Sequence, residues 1–226
     1  MSEITEIVAI DGPAGAGKSS VARAVAEALG FAYLDTGAMY RAATWWALRQ
    51  QVDLDDPDAV AAATRALRLD IGEEDGQQVV IVNGEDVTEA IRLPEVTREI
   101  WRIDGNPAVR ERLVAFQRAF GAKRSTVAEG RDIGTVVFPK AKCKVFLDAS
   151  LDERTRRRAA QMKARGLAAD FEALRGEIAE RDRKNRERDL SPLRRAEDAV
   201  LVDSTSLTQE RIVRHIVGLA RERFGE

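Results

Sequence analysis

Five short apolar stretches punctuate the chain, at Ile7–Ile10, Phe31–Leu34, Thr126–Ala128, Lys144–Leu147 and Ala199–Val202. None alternates cleanly between apolar and polar, and helical patterns separate them, so they read as strands of a parallel sheet covered on both faces. Ser19–Leu29, Asp152–Lys163 and Thr208–Arg223 are the clearest helical segments, the last with Thr208 as its N-cap. The expected class is α/β.

Two interruptions break the strand–helix rhythm. In the first, Ala66–Ile71 and Gln77–Val82 read as strands, and Asn83-Gly84 is a type I′ turn signal. A helix is then expected from Asn106 to Phe120, with Pro107 near its N-terminus. The second interruption is helical and rich in arginine. The chain accordingly divides into a core part at 1–60, an insertion at 61–105, core again at 106–150, an arginine-rich region at 151–192, and a closing strand and helix at 193–226.

Composition narrows the chemistry. Of 226 residues, 44% are hydrophobic and 33% charged, which suits a folded soluble domain and not a disordered one. No apolar run approaches the roughly 20 residues of a membrane span. The opening MSEITEIVAID lacks the features of a signal peptide, so a cytoplasmic protein is expected. A lone cysteine, Cys143, excludes an internal disulfide, and a lone histidine, His215, excludes a histidine cluster for a metal. Net charge is −2 but uneven: residues 1–139 carry −7, residues 140–195 carry +7 and residues 196–226 carry −2. A basic segment in a mildly acidic chain suggests a local anion site and not a nucleic-acid-coating surface. Of 36 basic residues 29 are arginine, which fits either bidentate phosphate contacts or a codon bias.

The first strand runs into Gly12-Pro13-Ala14-Gly15-Ala16-Gly17-Lys18-Ser19, a full G-x-x-x-x-G-K-[ST] match between a strand and a helix. Glycines there let backbone N–H groups face a phosphate, and the helix N-terminus adds partial positive charge. Lys18 is placed for the β- and γ-phosphates and the Ser19 hydroxyl for Mg2+. A nucleoside triphosphate is the expected ligand. No guanine-reading N-K-x-D is present. Val145–Asp148 could close a motor-type strand, but a basic helix follows it directly. The size and the two interruptions suit a small kinase, in which an insertion grips the acceptor and a lid closes over the phosphates. An alcohol acceptor would call for a carboxylate base. A nucleoside monophosphate, already anionic, needs charge neutralisation and in-line positioning, which arginines and magnesium supply.

Four strings carry a family resemblance: Gly12–Ser20, Leu34-Asp-Thr-Gly-Ala-Met-Tyr-Arg41, Glu129-Gly-Arg-Asp-Ile-Gly-Thr-Val-Val-Phe-Pro139 and Ser191-Pro-Leu193. Taken together and in order, they resemble bacterial cytidylate kinases over essentially the whole chain. The resemblance implies a P-loop nucleoside-monophosphate-kinase core on a parallel five-stranded sheet. It also implies a β-containing insertion for the acceptor, a helical lid, and γ-phosphoryl transfer from ATP to CMP or dCMP with Mg2+. Carried over by residue, Gly12, Pro13, Ala14, Gly15, Ala16, Gly17, Lys18, Ser19 and Ser20 would hold ATP. Arg41, with Asp35 and Thr36 beside it in the second string, and Arg131 and Arg188 would hold the acceptor phosphate. Arg110 with Asp132 would read the cytosine edge, and Arg181 and Asn185 would lie near the ribose. Lys18, Arg131, Arg181 and Arg188 form the expected catalytic set. The partners implied are ATP and CMP or dCMP, with no nucleic acid or membrane, in a monomer.

Elementary chemistry adds to several of these roles. Arg131 and Asp132 follow a strand end, where α/β sheets place ligands. An ionised Asp accepts from the exocyclic amine of cytosine, while uracil presents a carbonyl there, a mismatch worth about 1–3 kcal/mol. The other reading of Asp132 and of Arg110 is an ion pair supporting a turn. Arg181, Asn185 and Arg188 are spaced to share one helix face, with Arg183, Lys184 and Arg186 on the others. Arg154 and Arg156–Arg158 fit either ATP contacts or a solvated basic face. Tyr40, Trp45 and Trp46 fit packing better than base stacking. Two positions depart from the family pattern: Asn185 stands where an Asp is usual, and Trp101 stands in the neighbourhood of a serine expected beside the base. They leave a kinase for another small acceptor, UMP or a non-nucleotide metabolite, as the alternative.

Overall fold

The computed structural model describes residues 5–74, 77–164, 166 and 168–225. Met1–Ile4, the start of the segment read above for a leader, lie outside them. The chain divides into two compact units, one made of residues 1–33 and 124–226, the other of Leu34–Lys123.

The first unit is built on a sheet of five parallel strands, β1 (Ile7–Asp11), β2 (Ala32–Asp35), β6 (Thr126–Gly130), β7 (Cys143–Asp148) and β8 (Val200–Asp203), in the order β2-β6-β1-β7-β8. The unit boundary falls inside β2. All five apolar stretches form strands, shifted by a residue or two at their ends. β1 is central and pairs in parallel with β6, Asp11 opposite Gly130, and with β7, Asp11 opposite Phe146. Its residues Val8, Ala9 and Ile10 are wholly buried, as the unbroken apolar run requires. Helices α1 (Lys18–Leu29) and α8 (Gln209–Phe224) supply Val21, Ala22, Val25, Ile212, Ile216 and Ala220 to the core formed with Val8, Ile10, Val145 and Leu147. Thr208 caps α8 by accepting the Arg211 N–H, as its position before the helix foretold. Helices α6 (Leu151–Ala164) and α7 (Phe171–Glu187) make up the arginine-rich stretch.

The second unit contains α2 (Thr36–Arg49), α3 (Pro57–Ala66), a three-stranded antiparallel sheet of β3 (Leu69–Glu74), β4 (Gln77–Val82) and β5 (Glu85–Asp86), then α4 (Pro94–Asp104) and α5 (Pro107–Gly121). Asn83 and Gly84, with φ of 51° and 87°, make the left-handed pair a type I′ turn needs, and they join β4 to the short β5. The strand expected over Ala66–Ile71 begins at Leu69 instead. Ala66 ends α3, and Leu67 leaves the helix in extended conformation with its N–H still bonded to the Thr64 carbonyl.

Candidate functional site

At the end of β1 the chain turns into the glycine loop. Gly12 has φ of 155°, and a Cβ there would run into the Leu147 carbonyl oxygen of β7. Gly15 and Gly17 adopt φ of 78° and 91°, which side chains rarely tolerate. Gly17 caps α1 without a side chain, so the first N–H groups of the helix are open to an anion. Lys18 is buried, and its Nζ donates to the Pro13 carbonyl at 2.7 Å. Burial, helped by the nearby Arg131 and Arg181 guanidinium groups, pulls Lys18 down to about 7, against the pull of the Glu129 and Asp11 carboxylates. Ser19 and Ser20 are exposed at the start of α1.

Behind the loop, α6 presents two arginines one turn apart. Arg154 is 5% exposed and donates from Nε to the Ala149 carbonyl (3.0 Å) and from Nη1 to the Ala14 carbonyl (3.2 Å), while pairing with Asp182 of α7. Arg157 donates to the Ala16 carbonyl at 3.2 Å and to Ser204, and pairs with Glu153 at 3.0 Å. The open choice at Arg154 and Arg156–Arg158 therefore resolves by position: Arg154 and Arg157 grip the loop's backbone, and Arg156 and Arg158 are exposed.

The end of β6 forms the next wall. Glu129 is buried and accepts the Tyr33 hydroxyl at 2.6 Å. Arg131 Nη1 donates to the Gly130 carbonyl at 3.3 Å. Asp132, 5% exposed, opens a π-helical turn over Ile133–Val137, and its carboxylate lies 4.0 Å from Arg188 Nη2. Asp11 pins this turn to β1, accepting the N–H groups of Ile133 (2.7 Å) and Gly134 (2.8 Å). Burial pushes the Asp11 carboxyl up to about 6, although those two N–H groups favour its charged form. Arg181, Asp182 and Asn185 line the inward side of α7, and Arg183, Lys184 and Arg186 are exposed. Arg188 departs from the single-face reading. It has left the helix in extended conformation, with its Nε donating to the Ser191 carbonyl at 2.7 Å. The Asn185 amide donates to the Arg181 carbonyl of its own helix at 2.8 Å.

In the second unit Asp35 caps α2, accepting the Ala38 N–H at 3.0 Å, and pairs with Arg41 at 2.7 Å. Its own N–H donates to Gln78 Oε1 at 2.8 Å. Burial works against the Asp35 carboxylate, but Arg41 and the Ala38 N–H hold it below the usual carboxylate range. Thr36 is buried, and at Gly37 a Cβ would stand 3.1 Å from both Arg41 Nη1 and Asp35 Oδ1. Arg110 is buried with its guanidinium 5.6 Å from the centre of the Tyr40 ring, and donates to the Asp104 carbonyl at 3.4 Å. Trp101 is 48% exposed, with the Arg102 guanidinium 4.7 Å from its ring. Tyr40 is buried, while Trp45 and Trp46 are partly buried and Trp45 stacks on Arg49 at 5.0 Å.

Reasoning from the sequence missed Asp11 and Asp182. Asp11 directly precedes the loop, which is a local signal. Asp182 offered none beyond its place next to Arg181. His215 is exposed and Cys143 buried, its thiol pushed by that burial to about 12.

The cytidylate kinase family model matches residues 8–222 of this chain. A cytidylate kinase of Geobacillus sp. (strain WCH70) is 48% identical over 218 residues, covering 96% of this chain and 97% of that protein. A bifunctional pantoate ligase/cytidylate kinase of Synechococcus sp. (strain JA-3-3Ab) is 50% identical over 219 residues, 96% of this chain and 41% of that longer protein. Among solved structures, an uncharacterized protein from Eubacterium ventriosum ATCC 27560 superimposes with a TM-score of 0.50 at 12% identity, covering 95% of this chain and 97% of that one, a likeness of fold alone.

Proposed function

The chain belongs to the cytidylate kinase family, and from that premise we propose that it transfers the γ-phosphoryl group of ATP to CMP or dCMP, giving ADP and CDP or dCDP. The observation that carries the reading is one cluster in a family-matched chain. Lys18, set in a glycine loop shaped for phosphate, lies within electrostatic reach of Arg131 and Arg181.

The loop Gly12–Ser20 holds the triphosphate through its N–H groups, and Lys18 exchanges the Pro13 carbonyl for phosphate oxygens, which favour its charged form. An oxygen of the acceptor phosphate attacks the γ-phosphorus as the bond to the β–γ bridging oxygen breaks and ADP leaves. The acceptor is an anion near neutral pH, so no general base is required. Arg131, Arg181 and Arg188 neutralise charge on the transferring group. Arg41, oriented by Asp35, holds the acceptor phosphate together with Thr36 beside it. Asp132 accepts from the cytosine amine, Arg110 donates to the base, and Asn185 serves the ribose. Closure of 151–192 over the phosphates excludes water and limits ATP hydrolysis.

A magnesium ion bound together with ATP would supply charge neutralisation at the phosphates. Among the described residues no group of three or more His, Cys, Asp or Glu is placed to hold a metal. The exposed Ser19 hydroxyl would help to hold that ion. The expected setting is pyrimidine nucleotide metabolism in the cytoplasm, by a monomer. Among the described residues no helix is long and apolar enough to cross a membrane.

The test is ADP release with magnesium ATP and CMP, dCMP, UMP, AMP or shikimate in parallel. CMP and dCMP are expected to turn over, with kcat/KM for UMP lower by about tenfold or more. Turnover of another acceptor without CMP would overturn the acceptor assignment. Arg131→Ala should lower kcat strongly; wild-type turnover in that variant removes Arg131 from the catalytic set.

A further inference from the structure

The loop's carbonyls are held as deliberately as its N–H groups are left open. A peptide unit is planar and trans, so a carbonyl drawn one way sends the N–H of the same unit the other way. Arg154 draws the Ala14 carbonyl toward α6, and Arg157, one turn on, draws the Ala16 carbonyl. Ser204 Oγ donates to that second carbonyl as well, at 3.1 Å. The N–H groups of Gly15 and Gly17 are thereby turned away from α6. The fit is close: a Cβ on Gly15 would stand 3.1 Å from Arg154 Cβ and 3.3 Å from the Arg154 carbonyl.

Arg154 is in turn fixed from α7. Its partner Asp182 is 3% exposed, and while Oδ2 takes the guanidinium, Oδ1 is buried without a hydrogen-bond partner. A half-satisfied buried carboxylate is a costly way to hold two helices together. An apolar pair would do that at least as well. Asp182 adjoins Arg181 and precedes Asn185 by one turn.

We propose that Arg154 and Asp182 are positioning residues, a buried pair that sets the phosphate loop in its anion-binding shape and ties that shape to the seating of α7. The proposal rests on the donor half of the reading above, that Gly12–Ser20 binds the donor nucleotide. Neither side chain needs to touch nucleotide. The pair acts through the Ala14 carbonyl, and Asp182 anchors that hold on α7.

Removing one partner alone would strand a buried charge and destabilise the fold in general. The informative variant is therefore Arg154→Met with Asp182→Leu, which removes both charges at similar volume. Its ADP dissociation constant is measured by calorimetry, KM for ATP and for CMP by steady-state kinetics, and folding by circular dichroism and thermal midpoint. The folded double variant is expected to bind ADP about tenfold weaker, with KM for ATP rising in step and KM for CMP within about twofold of wild type. Asp182→Asn, which retains an acceptor for Arg154, should recover most of the ADP affinity. Wild-type ADP affinity in the folded double variant, or equal weakening of ADP and CMP, overturns the proposal. If the double variant does not fold, Arg154→Lys is held to the same ADP criterion, because lysine keeps the charge beside Asp182 but cannot reproduce the guanidinium fork between the Ala149 and Ala14 carbonyls. A wild-type chain that bound ADP but phosphorylated no CMP would remove the acceptor assignment and leave the ADP test standing.

Discussion

Asp35 shows how one side chain serves a helix and an ion pair together. Its carboxylate caps α2 through the Ala38 N–H and orients Arg41, and the missing side chain of Gly37 gives both groups room. With its folded pKa held below the ordinary value, its ion pair stabilises the fold fully above the unfolded pKa of about 4, and that contribution is lost as pH falls through the lower folded value. Asp35→Asn keeps an N-cap but loses the charge. Urea unfolding at pH 7 should show a loss of about 1–3 kcal/mol, shrinking as pH is lowered below about 4. A deficit that stayed constant down to acid pH would mean that the carboxylate's charge contributes nothing. Side chains like this one were legible because their partners are close in sequence: Arg41 is 6 residues away, and the glycine loop is one contiguous string. Asp182 and Arg154 lie 28 residues apart, Arg154 and Ala14 lie 140 apart, and Asp11 and Ile133 lie 122 apart. No spacing in the sequence announces such contacts; only the folded sheet brings them together.

The elements themselves follow the same division between local and distant causes. The five strands and the helices α1, α5, α6 and α8 were readable from apolar runs and caps, as was the turn at Asn83-Gly84. α3 and α4 were not, although Pro57 and Pro94 each open a helix and Val96, Ile100 and Ile103 form a buried stripe on α4. The hairpin signal dominated that stretch, and the apolar positions at Ala66, Leu67, Leu69 and Ile71 concealed the point where helix gives way to strand. α3 and α5 are joined at their starts by Asn106. Its Oδ1 caps α5 by accepting the N–H groups of Ala108 and Val109, and its Nδ2 donates to the Pro57 carbonyl at 2.8 Å. Asn106→Ala should cost about 2 kcal/mol, more than a solvent-exposed cap, because the Pro57 carbonyl loses its partner too. Asn106→Asp, which keeps the cap and loses only the donor, should fall between the two in urea midpoint. Equal losses in the two variants would assign the whole effect to the bond with Pro57.

At the scale of the whole molecule the uneven charge becomes interpretable. A segment of +7 in a chain of −2 can serve either a long polyanion or one small, highly charged ligand. A polyanion needs a stripe of solvated cations, each free to displace a counterion. Here many of the basic side chains of α6 and α7 are engaged within the fold. Arg154 and Arg157 hold the phosphate loop, Arg175 pairs with Asp152, and Arg183 pairs with both Glu180 and Glu187. Lys18, Arg131 and Arg181 lie within electrostatic reach of one another, a cluster that suits a small, highly charged ligand. ADP affinity should therefore weaken as salt is raised from about 0.05 to 0.5 M, through screening of that cluster. A single-stranded RNA of roughly 20 nucleotides should show no micromolar binding at about 0.15 M salt, where nonspecific phosphate contacts are already weak. The two titrations are read side by side on the same preparation. Micromolar RNA binding at that salt would mean that the basic residues act as a surface, and the arginines of α6 and α7 would then need a second explanation besides the phosphates of ATP.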